Sequence, residues 1–277
     1  MKIFITGASS YVGARLYFDL RKNFEVVGSC HDTKLSKDFV RLDITDKNAV
    51  QKILSLIKPD LIIHVAANAN SRWCEANPEL AIQLNEEGTK NIVAAANSIA
   101  AKIIYISSFA AFEPVDIYGG TKLASEELVK NTKAGFVILR PSFILGFSPN
   151  TTNDRPFNRI LKNLDEHTEA IYDTSWKFQP TYLGHISEVI EAVIKKKIDK
   201  EMIPIAVPEM KSRYETAKDI LEKFGVQVSA VDSKSTLPHF KNNLQKLKEL
   251  DLPQYSYSQM IEKIIDEIKH REKFVLE

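Results

Sequence analysis

The sequence predicts an α/β protein with a Rossmann-type, doubly wound parallel sheet and a smaller C-terminal α/β substrate lobe. Short β-branched runs alternate with longer helical patterns through the first half of the chain, which is typical of βαβ units. Two of these runs, at residues 61–66 and 102–107, are almost continuously apolar, as expected for strands covered on both faces. A glycine-containing turn at residues 6–13 directly follows the first run and directly precedes a helical pattern.

The alternation places five strands and three helices in the first half. The helices begin near Tyr11, after the candidate caps Thr45 and Asp46, and after Asn77, from which the third helix runs to about Ala100. The expected strands are Lys2–Thr6, Phe24–Gly28, Leu61–Ala66, Lys102–Ser107 and Gly135–Arg140. We therefore expect residues 1–145 to form an NADP-binding Rossmann domain.

After Arg140 prolines and polar residues separate shorter elements, which indicates a less regular lobe over residues 146–277. A segment near 180–207 is expected to return to the first domain. The helical patterns lie at 186–197, 214–224, 242–250 and 256–270, and the strand candidates lie at 203–207 and 226–231. The last helix carries one apolar stripe, which we interpret as a core face: Ile261, Ile264, Ile265 and Ile268.

Composition excludes several classes of protein. The 277 residues suit one large domain or two closely associated ones, and 37 Lys+Arg nearly balance 36 Asp+Glu, so nucleic acid is not an expected partner. The two cysteines, Cys30 and Cys74, lack disulfide or metal-site spacing, which favours a reducing compartment and no metal. No run approaches the ~20 apolar residues of a membrane span. We expect a cytoplasmic protein without a membrane partner.

The first candidate site is the turn Thr6-Gly7-Ala8-Ser9-Ser10-Tyr11-Val12-Gly13. Glycine at a strand end permits a tight turn, and the N–H groups of the following helix can then face a pyrophosphate. An ordinary strand-to-helix turn has similar letters, and Ser10 stands where a second glycine would ease the approach of the phosphates. The position between strand and helix favours cofactor binding.

The second candidate site combines a phenol, an ammonium and a hydroxyl. Tyr118 and Lys122 are four residues apart at the start of a helix and therefore share one face. A nearby cation favours the phenolate of a tyrosine, whose ordinary pKa is about 10. Ser107 and Ser108 end the preceding strand, at the sheet edge where open α/β sheets bind ligands. Tyr and Lys at this spacing also occur by chance in helices. The interpretation as a functional site therefore depends on the order in which the motifs follow one another along the chain.

The ordered motifs resemble the extended short-chain dehydrogenase/reductases, and within them the dTDP-4-dehydrorhamnose reductase-like branch. The resemblance runs from residue 3 to about residue 190. Its motifs are the TGxxGxxG turn, Asp43-Ile44, His64-Val65-Ala66-Ala67, Cys74-Glu75-Ala76-Asn77-Pro78, residues 85–91 as NxxGTxN, Ser108, the pair Tyr118 and Lys122, Leu139-Arg140-Pro141 and Pro180-Thr181-Tyr182.

The resemblance implies NADPH-dependent reduction of a 4-keto nucleotide sugar. Tyr118 would protonate the developing alkoxide, Lys122 would hold the nicotinamide ribose and favour ionisation of Tyr118, and Ser108 would hydrogen-bond the carbonyl oxygen. Asn85 would support the active-site backbone or a proton relay. The implied cofactor-binding residues are Gly7, Ser9, Ser10, Tyr11, Val12, Gly13, Asp43, Ile44, Ala66, Ala67, Tyr118, Lys122 and Pro141.

Three features depart from the resembling branch. Ser10 replaces a glycine, Phe109 follows Ser108 where an Asp is usual, and only 10 positions separate Ser108 from Tyr118, where the branch has a longer loop. The absence of an Asp at residue 109 disfavours dehydration of the sugar. Glycines at 119 and 120 are unusual at a helix start, where each costs ~1 kcal/mol relative to Ala.

The second expected strand ends without a carboxylate, so NADP(H) is expected to bind more tightly than NAD(H), with NAD(H) as the alternative cofactor. Ser29, His31 and Lys34 are candidate contacts for the 2′-phosphate, and Asp32 would oppose it if its loop turned inward. Two other functions stay open: a nucleotide-sugar epimerase, and a cofactor-binding regulatory subunit resembling the methionine adenosyltransferase β subunit. The sugar, the nucleotide and the oligomeric state, with a homodimer as one option, are left open.

The remaining candidates have simpler interpretations. His64 ends a buried strand pattern and is expected to be a hydrogen-bonded core residue. Trp73, Trp176 and Phe178 are candidates for stacking on a base, although aromatic residues more often form a lobe's core. Arg155, Arg159 and Lys177 suit substrate phosphates or a solvated face equally well.

Overall fold

The computed structural model describes residues 1–237, 239 and 241–276. The strands are β1 (Lys2–Thr6), β2 (Glu25–Cys30), β3 (Val40–Arg41), β4 (Leu61–His64), β5 (Lys102–Ile106), β6 (Phe136–Pro141), β7 (Phe143–Leu145), β8 (Ala170–Asp173), β9 (Lys177–Phe178), β10 (Pro180–Tyr182), β11 (Glu201–Ile205), β12 (Lys211–Ser212) and β13 (Val228–Val231). The α-helices are α1 (Tyr11–Leu20), α2 (Lys47–Ile57), α3 (Ser71–Ala76), α4 (Pro78–Ile82), α5 (Gly88–Ile99), α6 (Ile117–Val129), α7 (Pro156–Glu166), α8 (Leu183–Lys196), α9 (Arg213–Leu221), α10 (Gln245–Glu249) and α11 (Tyr257–Lys269).

A seven-stranded parallel sheet organises the molecule in the order β11-β6-β5-β4-β1-β2-β3. The chain runs outward from β1 through β2 to β3 and then crosses to β4, so the strand order reverses between β1 and β4. In doubly wound sheets a ligand crevice lies outside the carboxyl ends of the strands at such a switch point. The predicted Rossmann-type fold class is confirmed.

The five predicted strands of the first half are all present, with ends shifted by one or two residues. The predicted helix from Asn77 to Ala100 is instead α4 and α5 joined by a π-helical turn at Gln83–Glu87. The sequence analysis missed α3, whose first turn is capped by the Asn70 side chain, and it missed α7. The strand β11 pairs with β6 and adds a seventh strand to the sheet.

Apolar helix faces cover both sides of the sheet. On one side, Val50 and Leu54 of α2 pack with Ile92 and Ala96 of α5. On the other side, α1, α8 and α11 pack together, and in α11 the predicted stripe is buried at Ile261, Ile264 and Ile268 and half-buried at Ile265. Burial of this much apolar surface is the main stabilising contribution to the fold. Within the part of the chain that the structure describes, no helix has the length and apolar composition needed to span a bilayer.

A buried ion pair connects the second half of the chain to α1. Arg15 lies 2.7 Å from Glu267 of α11 and also donates to the Phe147 carbonyl at 2.7 Å. Glu267 in turn accepts the Phe147 N–H at 2.9 Å and the Tyr182 hydroxyl at 2.5 Å. The segment after β7 is therefore held against the helix that follows the glycine-containing turn.

Candidate active site and cofactor cleft

The turn between β1 and α1 requires glycine at both ends. Gly7 has φ +66°, a conformation that side chains with a Cβ rarely adopt. A Cβ at Gly13 would lie 2.1 Å from the Gly7 carbonyl oxygen, so the start of α1 touches the end of the turn. The Ala8 and Ser10 N–H groups are taken by the Ser29 and Gly7 carbonyls at 2.7 and 2.9 Å, which leaves those of Ser9, Tyr11 and Val12 at the start of α1 for an anion.

Ser10, the departure from the glycine pattern, is the N-cap of α1. Its hydroxyl oxygen accepts the Gly13 N–H at 3.1 Å. A serine hydroxyl that accepts one hydrogen bond still has its own proton to donate. Ser10 therefore stabilises the helix start and keeps one donor for an anion at the positive end of the helix dipole.

A Gly13→Ala variant is expected to lower NADPH affinity at least tenfold and to lower the free energy of unfolding by about 1–3 kcal/mol, because the new methyl must displace the Gly7 backbone. Calorimetric titration and thermal unfolding measure the two effects. The matched control for stability is Gly120→Ala, whose Cβ would meet no atom within 4 Å. Unchanged NADPH affinity in folded Gly13→Ala protein would contradict the assignment of this turn to phosphate binding.

A cleft of about 490 Å³ opens at the switch point between β1 and β4. Seven of the implied cofactor-binding residues line it: Gly7, Ser9, Ser10, Asp43, Ile44, Ala66 and Ala67. Of the other lining residues, the sequence analysis had considered His31 and Asp32 near a 2′-phosphate and Trp73 for stacking on a base. It missed the remaining eight: Cys30, Thr33, Leu42, Thr45, Leu80, Gln83, Leu84 and Asn153. A Cβ at Gly7 would lie 2.9 Å from the Ala66 Cα. Only small residues therefore fit where these two backbones meet at the base of the cleft.

The other six implied residues do not line this cleft, and two of them, Tyr118 and Lys122, lie on α6. Tyr11 is buried, and its hydroxyl donates to the Gly146 carbonyl. Val12 packs against the main core, Gly13 is buried in contact with Gly7, and Pro141 is buried at the end of β6. The Tyr11 and Val12 side chains thus serve packing, and their backbone is what remains for a cofactor.

One end of the cleft is bordered by charged side chains of the loops that follow β2 and β3. Asp43 accepts the Thr45 N–H at 2.9 Å and the Thr45 hydroxyl at 2.8 Å. Burial acts to raise the pKa of Asp43, but these hydrogen bonds hold it below its usual range. His31 contacts Asp32 at 2.7 Å, and Arg41 approaches Asp32 at 3.5 Å. The strand β2 ends without a carboxylate, as expected, yet the next loop brings Asp32 into the cleft lining.

An Asp32→Asn variant is expected to bind NADPH about fivefold more tightly, because a carboxylate about 4 Å from a phosphate repels it by ~1 kcal/mol in water. NADH affinity is expected to fall or stay constant, since the 2′-hydroxyl loses an acceptor. Asp38→Asn removes an exposed charge from the same loop outside the cleft lining and serves as the control. Titration of both cofactors into both variants measures the preference, and a gain for NADPH that is equal in the two would contradict a specific role for Asp32.

The short loop between β5 and α6 brings Ser108 to Tyr118. Ser108 caps a single 3₁₀ turn, Phe109–Ala111, and α6 begins at Ile117 with Asp116 as its N-cap. A Cβ at Gly119 would lie 2.6 Å from the Ala110 carbonyl oxygen, so only glycine lets the trimmed loop lie against the helix. Glu75 of α3 accepts the Ile117 N–H at 2.6 Å and fixes the start of α6 from the other side. Nothing in the structure explains Gly120.

Tyr118 is protonated at neutral pH in this environment. Burial raises the pKa of its phenol, while a hydrogen bond with the Ser108 hydroxyl and the charge of Arg155 act in the opposite direction. The largest charge effect that favours the phenolate therefore comes from Arg155, where the sequence analysis expected it from Lys122. Arg155 lies at the N-terminus of α7, 37 positions after Tyr118, and sequence spacing gave no signal for this pairing.

Lys122 is buried one turn further along α6. Its ammonium donates to the Ile106 carbonyl at 2.8 Å and lies 4.3 Å from the centre of the Tyr105 ring. Burial lowers the pKa of Lys122 to about 7, against the raising effect of Glu126. Glu126 is itself held by Arg140 at 2.5 Å. An ammonium has three donors, so two remain for a ligand at this sheet edge.

Asn85 lies in the π-helical turn between α4 and α5. Its carboxamide oxygen accepts the Asn68 N–H at 2.8 Å, and its nitrogen donates to the Asn68 carbonyl at 3.1 Å and to the Thr121 hydroxyl at 3.0 Å. The oxygen and the nitrogen of this amide are therefore both hydrogen-bonded, to partners in the loop after β4 and in helix α6. Of the two roles left open for Asn85, this geometry favours support of the backbone.

Burial and contacts distinguish the remaining candidate residues from one another. His64 is fully buried with both ring nitrogens hydrogen-bonded, and burial lowers its pKa to about 3, so it is a neutral core residue. Trp73 lines the cleft, whereas Phe178 is buried and stacks with Trp176 at 5.0 Å. Arg159 pairs with Asp154 through two hydrogen bonds of 2.6 and 2.7 Å.

Cationic and aromatic side chains also lie together in the second half of the chain. Arg213 of α9 lies 5.4 Å from the Trp176 ring centre and 5.6 Å from that of Phe143. Burial lowers the pKa of Arg213; Asp173 opposes this, and the charges of Arg159 and Arg72 add to it. Arg213 therefore lies within electrostatic range of Arg159 and Arg72.

Comparison with known proteins agrees with this architecture. A family model described as the RmlD substrate binding domain matches residues 1–255. Methionine adenosyltransferase 2 subunit beta of Bos taurus is 30% identical over 249 residues, which are 82% of this chain and 73% of that protein. The dTDP-4-dehydrorhamnose reductase of Bacillus anthracis, solved in complex with NADP, superposes with a TM-score of 0.82 at 25% identity, covering 96% of this chain and 99% of that one. The UDP-glucose 4-epimerase of Thermotoga maritima, solved with UDP-glucose, shares the fold with a TM-score of 0.85 at 17% identity, covering 98% of this chain and 100% of that one.

Proposed function

This chain belongs to the RmlD substrate binding domain family, within the extended short-chain dehydrogenase/reductases, and we propose that it reduces a 4-keto nucleotide sugar with NADPH. The observation that carries the proposal is that the Ser108 hydroxyl is close enough to the Tyr118 phenol to lower its pKa, with Lys122 one turn away on the same helix. A carbonyl oxygen placed against both hydroxyls would have a hydrogen-bond donor and a proton source.

The cleft residues fit a nicotinamide dinucleotide. Ser10 and the N-terminus of α1 offer donors to a pyrophosphate, and Ala66 and Ala67 leave room above the sheet edge. Lys122 has two free donors for the nicotinamide ribose hydroxyls. Structural support for NADP as the cofactor comes from the Bacillus anthracis reductase, which was solved with it.

The proposed reaction converts a ketone to an alcohol by adding a hydride to carbon and a proton to oxygen. The bound cofactor supplies the hydride. Ser108 orients the carbonyl oxygen, and Tyr118, which burial keeps protonated, donates its proton to the alkoxide as it forms. Arg155 and the Lys122 ammonium then stabilise the phenolate that remains, until solvent returns the proton.

The substrate class rests on the charges beyond Tyr118. Arg213 lies beside the aromatic residues Trp176 and Phe143 and within electrostatic range of Arg72, while Arg155 is within range of Tyr118, and this combination suits a diphosphate and a base. The sugar's keto group would then reach the Ser108 and Tyr118 hydroxyls.

The proposal is tested by mixing the purified protein with NADPH and a panel of dTDP-, UDP- and GDP-linked 4-keto sugars, and following the loss of NADPH absorbance. Consumption of NADPH in step with the alcohol product supports the reductase. Interconversion of sugars without net loss of NADPH would indicate an epimerase instead.

A second candidate is a cofactor-binding regulatory subunit. It is favoured by the likeness to methionine adenosyltransferase 2 subunit beta of Bos taurus, the curated relative at 30% identity. NADPH binding without turnover on any sugar of the panel, together with retention of a catalytic partner chain, would support this function over the reductase. The hydrogen-bonded Ser108 and Tyr118 pair argues against it, because a purely regulatory chain has no need of a positioned proton donor.

A further inference from the structure

A string of buried hydrogen bonds runs from the floor of the cofactor cleft to the backbone of Tyr118. The Thr6 hydroxyl oxygen accepts the N–H groups of Val65 and Ala66, both at 3.1 Å, at the point where β4 enters the cleft. The same hydroxyl lies 2.7 Å from Nδ1 of His64. Because both lone pairs of the Thr6 oxygen are taken, its proton must point to His64.

The direction of every later hydrogen bond follows from that first one. His64 accepts at Nδ1, so as a neutral ring it carries its proton on Nε2 and donates to the Thr89 hydroxyl at 2.9 Å. Thr89 then donates to the Asn85 carbonyl at 2.6 Å. A single tautomer of His64 therefore satisfies three residues on three different elements: β1, β4 and α5.

The string continues through the side chain of Asn85 into the catalytic helix. The Asn85 nitrogen donates to the Thr121 hydroxyl at 3.0 Å, and Thr121 donates to the Tyr118 carbonyl at 2.9 Å. All five residues of the string are at most 2% exposed: Thr6, His64, Thr89, Asn85 and Thr121. A fully satisfied, water-excluded network of this kind has one arrangement, since reversing any hydrogen bond leaves a buried group unpaired.

We propose that His64, Thr89 and Thr121 are positioning residues: the oriented string sets the distance between the cofactor floor and Tyr118 and so governs turnover without contacting either reactant. The π-helical turn at Gln83–Glu87 supports this, because Asn85 lies within it and such turns recur at functional sites. Only the expected effect on turnover rests on the proposed reductase function; the direction of the hydrogen bonds does not.

The direction of the string is tested without substrate. In ¹⁵N-histidine NMR spectra of the full chain, with His64 assigned by comparison with His64→Gln, the ring is expected to be neutral with its proton on Nε2. A proton on Nδ1 would overturn the proposal. In Thr89→Val the acceptor of that proton is lost and the His64 signals are expected to shift or split, whereas in Thr89→Ser they are expected to keep the wild-type tautomer.

The positioning role is tested by turnover on the 4-keto sugar that the panel identifies. Thr89→Val and Thr121→Val are each expected to lower kcat about tenfold with NADPH affinity within about twofold, and the serine variants to recover most of the rate. The double valine variant is expected to lose no more than the worse single one, whereas two independent packing defects would multiply to about 100-fold. Serine variants as slow as the valine variants, or multiplying effects, would overturn the proposal. If the wild type reduces no sugar, the proposed function fails and the NMR result alone decides whether the string exists.

Discussion

A Tyr118→Phe variant is expected to lose about 10²–10⁴-fold in kcat on a 4-keto nucleotide sugar, while its NADPH affinity stays within about twofold of the wild type. The change removes one hydroxyl and almost no volume, so packing beside the cleft survives. Proton donation to the alkoxide does not survive, because Ser108 is a far weaker acid than a phenol. Steady-state kinetics and NADPH titration of the same preparation measure the two effects.

Tyr105→Phe is the matched control. Tyr105 is also buried and its ring lies 4.3 Å from the Lys122 ammonium, so the variant removes a second phenol from the same neighbourhood without touching the proposed proton donor. Its kcat is expected to stay within about threefold, because a phenylalanine ring still faces the cation. If Tyr118→Phe turned over normally while Ser108→Ala did not, the acid role of Tyr118 would be wrong.

Most elements of the first half could be predicted because local patterns determine them, whereas the order of the strands in the sheet depends on long-range pairing and was not predicted. Apolar runs predicted the strands, and residues that cap helices, such as Asp46, predicted where helices begin. The π-helical turn at Gln83–Glu87 could not be predicted, since its residues continue an ordinary helical pattern and the partners of Asn85 include Thr121 on another helix.

In the candidate site too, some residues could be predicted from local sequence patterns and others could not. Ser108, Tyr118 and Lys122 were found from spacing, because two share a helix and the third ends the preceding strand. Arg155 was considered only for substrate phosphates or as part of a solvated face, since its effect on Tyr118 depends on how the second half of the chain packs. The need for Gly119 also arises from a tertiary contact, with the Ala110 carbonyl, that no local rule anticipates.

The segment 146–150 shows how strongly the two halves depend on each other. The Asn150 side chain donates to the Ser9 carbonyl at 2.6 Å, and the Ser148 hydroxyl donates to the Tyr11 carbonyl at 2.6 Å. The cofactor turn is thus shaped by residues that follow the sheet's sixth strand. A sequence window around the glycine-containing turn contains none of this information.

Substitution of Lys122 is expected to have a second large effect, in which activity decreases while stability increases. A Lys122→Met variant keeps the length of the side chain and removes its charge, so kcat/KM is expected to fall about 10²–10³-fold through loss of the ribose contact and of charge stabilisation. The variant is nevertheless expected to be more stable than the wild type at pH 6–7, because the native protein holds a buried ammonium there.

The pH dependence of that stability difference identifies its cause. The pKa of Lys122 is about 7 in the folded chain, against about 10.4 in the unfolded one, so between these values the unfolded state binds more protons and stability rises with pH. The advantage of the methionine variant is therefore expected to be largest below pH 7, on the order of a few kcal/mol, and to shrink as pH rises toward 10. Denaturant unfolding of cofactor-free protein across this range measures it, with Lys130→Met, an exposed lysine paired with Glu127 just beyond the same helix, as the control that should show little change at any pH. A methionine variant that is less stable than the wild type, or whose advantage does not vary with pH, would show that the folded protein does not hold Lys122 with a depressed pKa.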